Sequence, residues 1–224
     1  MQLKLVVFDF DGTLADTFSY VIKYLKKITI KEGIDVDLEN NEFIEEMMNY
    51  HVRDLLKRFN ISLVRVPKIL REVRRVMYKD IDEIEMFEGM KDALAEMKNM
   101  GLDLGILTSN SKRFVETFLK SKDAAQFFDF VHSEGNLFGK DRVLKKLVKK
   151  TGLKKSEVVY VGDEARDIEA CKKAGITCIS VEWGFNNKYA LDEHEADYIV
   201  DSPEELLLKI KYLNEMEGRE QEKD

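Results

Sequence analysis

The chain lacks most of what disulfide-stapled, metal-stapled or membrane-spanning proteins depend on. Among 224 residues there are two cysteines, Cys171 and Cys178, two prolines and one tryptophan. The cysteines form no CxxC pair and stand near no histidine cluster, which argues against a disulfide framework and against a structural zinc site. Both are expected as small buried side chains, one on a helix and one on a strand. His51, His132 and His194 are scattered without metal-ligand spacing and are expected at the surface or in structural roles. No apolar run approaches the roughly 18 residues of a membrane span. The first nine residues are too short and too soon acidic for a secretory signal, so the expected location is the cytoplasm. Neither GxGxxG nor GxxxxGK[ST] occurs, which leaves dinucleotide and P-loop chemistry unsupported. Lys and Arg number 36 against 43 Asp and Glu, and a net charge of -7 does not suit a general nucleic-acid binder.

What is present is a globular composition, 44% hydrophobic, arranged in two styles. Residues 3–8 form a short apolar, β-branched run that stops at Asp9, as a buried strand does. Residues 17–84 then read as helices throughout, with Pro67 suited to the first turn of one of them. From residue 90 onward strands alternate with helices closed by Gly101, Gly152 and Gly175. Strands are predicted over 102–107, 128–132, 158–161, 177–181 and 198–200, and Ser202-Pro203-Glu204-Glu205 opens a last helix. The fold class is α/β: a doubly wound, Rossmann-like parallel sheet with an all-helical insert after the first strand. The expected organisation is a catalytic core of residues 1–16 plus 85–214, a helical insert of 17–84, and a frayed tail of 215–224.

In such sheets ligands meet the carboxyl ends of the strands, so the polar residues where strands stop carry the functional information. Those ends present Asp9-Phe10-Asp11-Gly12-Thr13-Leu14, Thr108-Ser109-Asn110, and Gly162-Asp163-Glu164 with Asp167 one turn on. A loop before a helix adds Gly139-Lys140-Asp141. Converging carboxylates repel one another unless a cation lies between them, and a few hard oxygen ligands suit Mg²⁺ sharing a substrate phosphate. Lys140 can take further phosphate charge, while Thr108 and the backbone N–H of Ser109 can donate to phosphate oxygens. The matching chemistry is covalent: one carboxylate attacks phosphorus while its neighbour serves the leaving oxygen and then water, roles that suit Asp9 and Asp11. Each piece alone is also a turn or a helix cap; Asp16, just beyond, is expected as a hinge or N-cap.

Together, Asp9-x-Asp11-Gly12-Thr13, Thr108-Ser109, Lys140 and Gly162-Asp163-x-x-x-Asp167 resemble the four motifs of the haloacid dehalogenase-like hydrolase superfamily. The helical insert resembles the cap of its phosphoglycolate phosphatase and β-phosphoglucomutase branch. The resemblance implies a Mg²⁺-dependent phosphatase acting on a small phosphorylated metabolite, with Asp9 as nucleophile and metal ligand. It implies Asp11 as acid and base, touching the metal through its backbone carbonyl, and Asp163 as the third protein ligand. Thr108, Ser109 and Lys140 would hold the phosphate, and Asp167 would orient Lys140 or a metal-bound water. Glu164 departs from the Ser or Asn usual there and is left out of the metal site. A phosphomutase and a non-catalytic phosphate-binding module remain alternatives. 2-Phosphoglycolate, a sugar phosphate, a nucleoside monophosphate and pyrophosphate all fit, and the oligomeric state is not legible.

The insert carries a second signal. Residues 53–79 hold a local net charge of +7, and Lys68, Arg71, Arg75 and Lys79 recur on one helix face. Either this face is solvated, or some of its bases look into the site and attract an anion. Trp183 is expected either at the pocket mouth or in a surface loop.

Overall fold

The computed structural model describes residues 2–32, 40–134 and 139–219. Its six strands, β1 (Leu5–Phe8), β2 (Asp103–Thr108), β3 (Phe130–Ser133), β4 (Val158–Gly162), β5 (Thr177–Val181) and β6 (Tyr198–Val200), form one sheet. Their order is β3-β2-β1-β4-β5-β6, and every neighbouring pair is parallel. Between β1 and β2 stand α1 (Phe18–Glu32), α2 (Asn41–Met48), α3 (Val52–Arg58), α4 (Val66–Lys79) and α5 (Met90–Asn99). The later crossovers carry α6 (Lys112–Ser121), α7 (Lys140–Thr151), α8 (Ala165–Ala174) and α9 (Lys188–Glu193), and α10 (Pro203–Arg219) follows β6. Two elements differ from expectation. The short helix α9 went unread, although Asn187 caps it by accepting from the Ala190 N–H at 3.2 Å. Helix α10 continues to Arg219, past residue 214 where fraying was expected; residues 220–224 lie outside the described residues.

Both faces of the sheet are covered, which is why its inner strands read as unbroken apolar runs. Val6 and Phe8 of β1 join Leu104, Ile106, Val159 and Val161 on the face beneath α5, α6 and α10. Leu5 and Val7 join Val158 and Tyr160 on the other, beneath α7 and α8. The first cluster extends into the insert through Tyr24 of α1 and through Val73 and Met77 of α4. Cys171 and Cys178 are buried and unbonded on α8 and β5, as their sequence context predicts.

Phe8 lies level with Ile106 of β2 and Val161 of β4. That register brings the ends of β1, β2 and β4 out at one edge, where Asp9, Thr108 and Asp163 emerge. Successive strands run outward in opposite directions from β1 and β4, so a crevice opens there. The segments joining insert to core run side by side: the Asp16 N–H donates to Glu85 O at 2.9 Å and the Phe87 N–H to Leu14 O at 3.2 Å. Ala15 is bridged to Asp11 on one side and to Met86 on the other. Asp16 is exposed at this joint.

Candidate active site

Asp9 is the first residue beyond β1, buried, with one carboxylate oxygen accepting from the Phe10 N–H at 2.7 Å. Its other oxygen accepts from Lys140 Nζ at 2.5 Å. Lys140 begins α7, after Gly139 at φ 128°, and its ammonium also donates to Asp167 Oδ1 at 2.6 Å and to the Tyr160 hydroxyl at 2.8 Å. Burial opposes the charge on Lys140, but Asp167 and Asp9 outweigh it and hold the pKa above the usual lysine value. Asp167 is fully buried; its second oxygen accepts from the Glu164 N–H at 3.2 Å, completing a capping box at the start of α8. Asp167 and Asp9 thus share the lysine's ammonium.

Asp163, at the end of β4, accepts from Thr13 Oγ1 at 2.7 Å and from the Phe185 N–H at 2.8 Å. Gly12 is required beside it. At φ 76° the backbone is in the left-handed region, and a Cβ there would lie 2.2 Å from Asp163 Oδ2. Asp9, Asp163 and Asp167 each place a carboxylate oxygen within 4.8 Å of the others, and all three are buried. Burial pushes the Asp9 carboxyl up to about 6 despite Lys140, and burial with the charges of Glu164 and Asp9 pushes Asp163 well above the carboxylate range. Two carboxyls that resist ionisation are a pair that a cation can relieve, and the hard oxygen donors here fit a divalent metal.

Asp11 faces the other way. Both of its carboxylate oxygens accept from the Asn110 amide at 3.2 Å, and burial raises its pKa against that hydrogen bond. Thr108 is buried and its hydroxyl accepts from the Asn110 N–H at 2.9 Å. Half-buried Ser109 follows, its carbonyl accepting from the Arg74 guanidinium of α4.

Residues 6–181 match the haloacid dehalogenase-like hydrolase family. The chain belongs to it. Over 94% of its length the chain is 30% identical to the phosphoglycolate phosphatase of Synechococcus elongatus and covers 99% of that protein. It is 26% identical to the pyrophosphatase PpaX of Bacillus mycoides over 96% of this chain and 100% of that one. The crystal structure of a predicted phosphatase from Clostridium acetobutylicum superposes with a TM-score of 0.79, at 26% identity, covering 95% of this chain and 100% of that one. This haloacid dehalogenase-like hydrolase is a phosphatase, and no described helix is long and apolar enough to cross a membrane.

The hydrolase's site also holds residues that sequence reasoning missed. Asn110 stands with Thr108 and Ser109 at the strand end, where the sequence assigns it no role, and Tyr160, two residues before Gly162, carries a signal only in retrospect. Arg74 reaches the core from α4, whereas Lys68, Arg71, Arg75 and Lys79 are exposed, in accord with the solvated-face alternative. Glu164 caps α8 and pairs with Arg166. Trp183 is no part of the cavity wall: its indole donates to Thr13 O at 3.3 Å, and Phe185 borders the cavity instead. His51 caps α3 with its ring centre 5.8 Å from that of His194, a structural role, and His132 is exposed.

Proposed function

We propose that this chain hydrolyses a phosphate monoester through an aspartyl-phosphate on Asp9, with Mg²⁺ held by Asp9, Asp163 and the backbone carbonyl of Asp11. The carrying observation is the split between two neighbouring carboxylates. Asp9 is locked between the Phe10 N–H and Lys140, and Asp11 is turned aside onto Asn110. One is oriented to attack; the other is free to move protons.

The Asp9 carboxylate attacks phosphorus in line, and the bond from phosphorus to the ester oxygen breaks. Asp11 delivers its proton to the departing oxygen, and burial raises its pKa in the direction a general acid needs. Water then attacks the acyl phosphate, Asp11 takes its proton, and the Asp9–phosphorus bond breaks to release phosphate. Lys140, Thr108 and the Ser109 N–H bind the phosphate oxygens, and Asp167 with Tyr160 keeps Lys140 in place. When bound, Mg²⁺ supplies positive charge to the phosphoryl oxygens and screens Asp9 from them.

The test is acid quenching during turnover of 4-nitrophenyl phosphate, followed by mass spectrometry of the peptide that carries Asp9. A phosphoryl adduct that appears with Mg²⁺ and vanishes with EDTA is the expected result. Metal-independent turnover, or an adduct elsewhere, overturns the proposal.

A further inference from the structure

Beside Asp11 lies a partly open cavity of about 240 Å³, between the helical cap and the strand ends. Asp11, Ser109, Asn110, Glu164 and Arg166 stand in its wall, so it is continuous with the site. The cap's own contribution is different in kind. Residues of α1 through α4 add aliphatic, aromatic and methionine side chains, together with Tyr50 and Arg74. Among the described residues, the cap places no lysine, histidine, carboxylate or amide in this wall. Arg74 is already drawn to the Ser109 carbonyl beside Asp11.

Beyond Arg74, the cap side of this chamber is a poor host for water, which needs several polar partners, and a poorer one for a second charge. A glycolate or a second phosphate would reach Arg74 but leave the apolar space beyond it unfilled. An apolar cavity of about 150 Å³ suffices for a benzene ring, so this one has room to spare.

We infer that the ester cleaved here carries an apolar organic group, at least the size of a benzene ring, that enters the cap cavity while its phosphate lies against Asp9. This rests on the phosphatase reading above and deepens it by naming the substrate class. Specificity then comes from burial of carbon. Each methylene moved from water into the wall strengthens binding about two- to fourfold until the space is full.

The test separates binding from turnover. Calorimetry with ethyl-, butyl- and hexylphosphonate, in Mg²⁺, should show Kd falling with every methylene. A flat or rising series overturns the inference. Hydrolysis of the matching alkyl phosphates and of phenyl phosphate should outrun that of 2-phosphoglycolate and pyrophosphate in kcat/KM, and the reverse ranking overturns it. Leu70→Trp, which narrows the cavity, should make the series level off at a shorter chain; an unchanged series puts the chain elsewhere and overturns it too. If the phosphonates bind with the expected slope but no ester is hydrolysed, the apolar cavity stands and the hydrolase mechanism falls. If esters are hydrolysed without any slope, only this inference falls.

Discussion

At the strand ends, buried charges are tied to one another: Lys140 alone touches Asp9, Asp167 and Tyr160. Across the cavity, the described residues of the cap offer carbon, one tyrosine and one guanidinium. Under the proposed mechanism, the two regions divide the work. Fixed, desolvated charge in the core suits a reaction that develops charge at phosphorus, because preoriented groups need no rearrangement there. A wall that is mostly carbon suits selection by size and apolar area. Damage to the first region should show in kcat, and damage to the second in KM and in the choice of ester.

The largest effect should come from Asp9→Asn, which keeps the shape but removes the proposed nucleophile. Turnover should fall at least ~10⁴-fold with the circular dichroism spectrum unchanged. Retention of a tenth of the activity would break the division at its centre.

Asp11→Asn should cost ~10²–10⁴-fold for an alkyl phosphate and much less for 4-nitrophenyl phosphate, whose leaving group scarcely needs a proton. Equal losses for both esters would take the general-acid role away from Asp11.

Arg74→Met tests the one polar contact the cap makes with Ser109. Keeping the stem and deleting the guanidinium should lower kcat/KM about ten- to a hundredfold, the scale of one charge-assisted hydrogen bond. Steady-state kinetics with one ester is enough, and an unchanged kcat/KM would place the contact outside function.

A smaller effect concerns how the halves stay joined. His51 of the cap lies 3.6 Å from Glu169 of the core, and its Nδ1 accepts from the Arg53 N–H at 3.0 Å. Burial lowers its pKa, against the pull of Glu169. With the folded pKa below the ordinary value near 6.5, the unfolded chain binds the proton more readily. The stabilisation is therefore complete above about pH 6.5 and is lost as the pH falls below it. Thermal melts should drop less between about pH 7.5 and 5.5 in His51→Asn, which keeps an N-cap but cannot titrate.

The smallest effect should be none. Charge reversal at two of Lys68, Arg71, Arg75 and Lys79 should leave KM within about twofold at physiological salt, where the Debye length is ~8 Å. A large rise in KM would mean that the outer face of α4 steers substrate after all.

How far the site could be read beforehand follows the same division. Asp9, Thr108 and Asp163 were legible because a parallel strand announces its own end, and the sheet register does the rest. Lys140 was legible from the glycine before a helix start. Arg74 was not, since helical periodicity shows which residues share a face and is silent on which face meets the core. The stripe was conspicuous because it is solvated, whereas Arg74 stands beside Val73, on the buried side of α4. Trp183 drew attention by its rarity, yet the chain reaches the cavity only at Phe185.

Ala15 is bridged both to Asp11 and to Met86. Mechanically, the cap's pivot and the proposed proton donor are mounted on the same pin. A displacement of one connecting segment would therefore pass through Ala15 to the loop that carries Asp11.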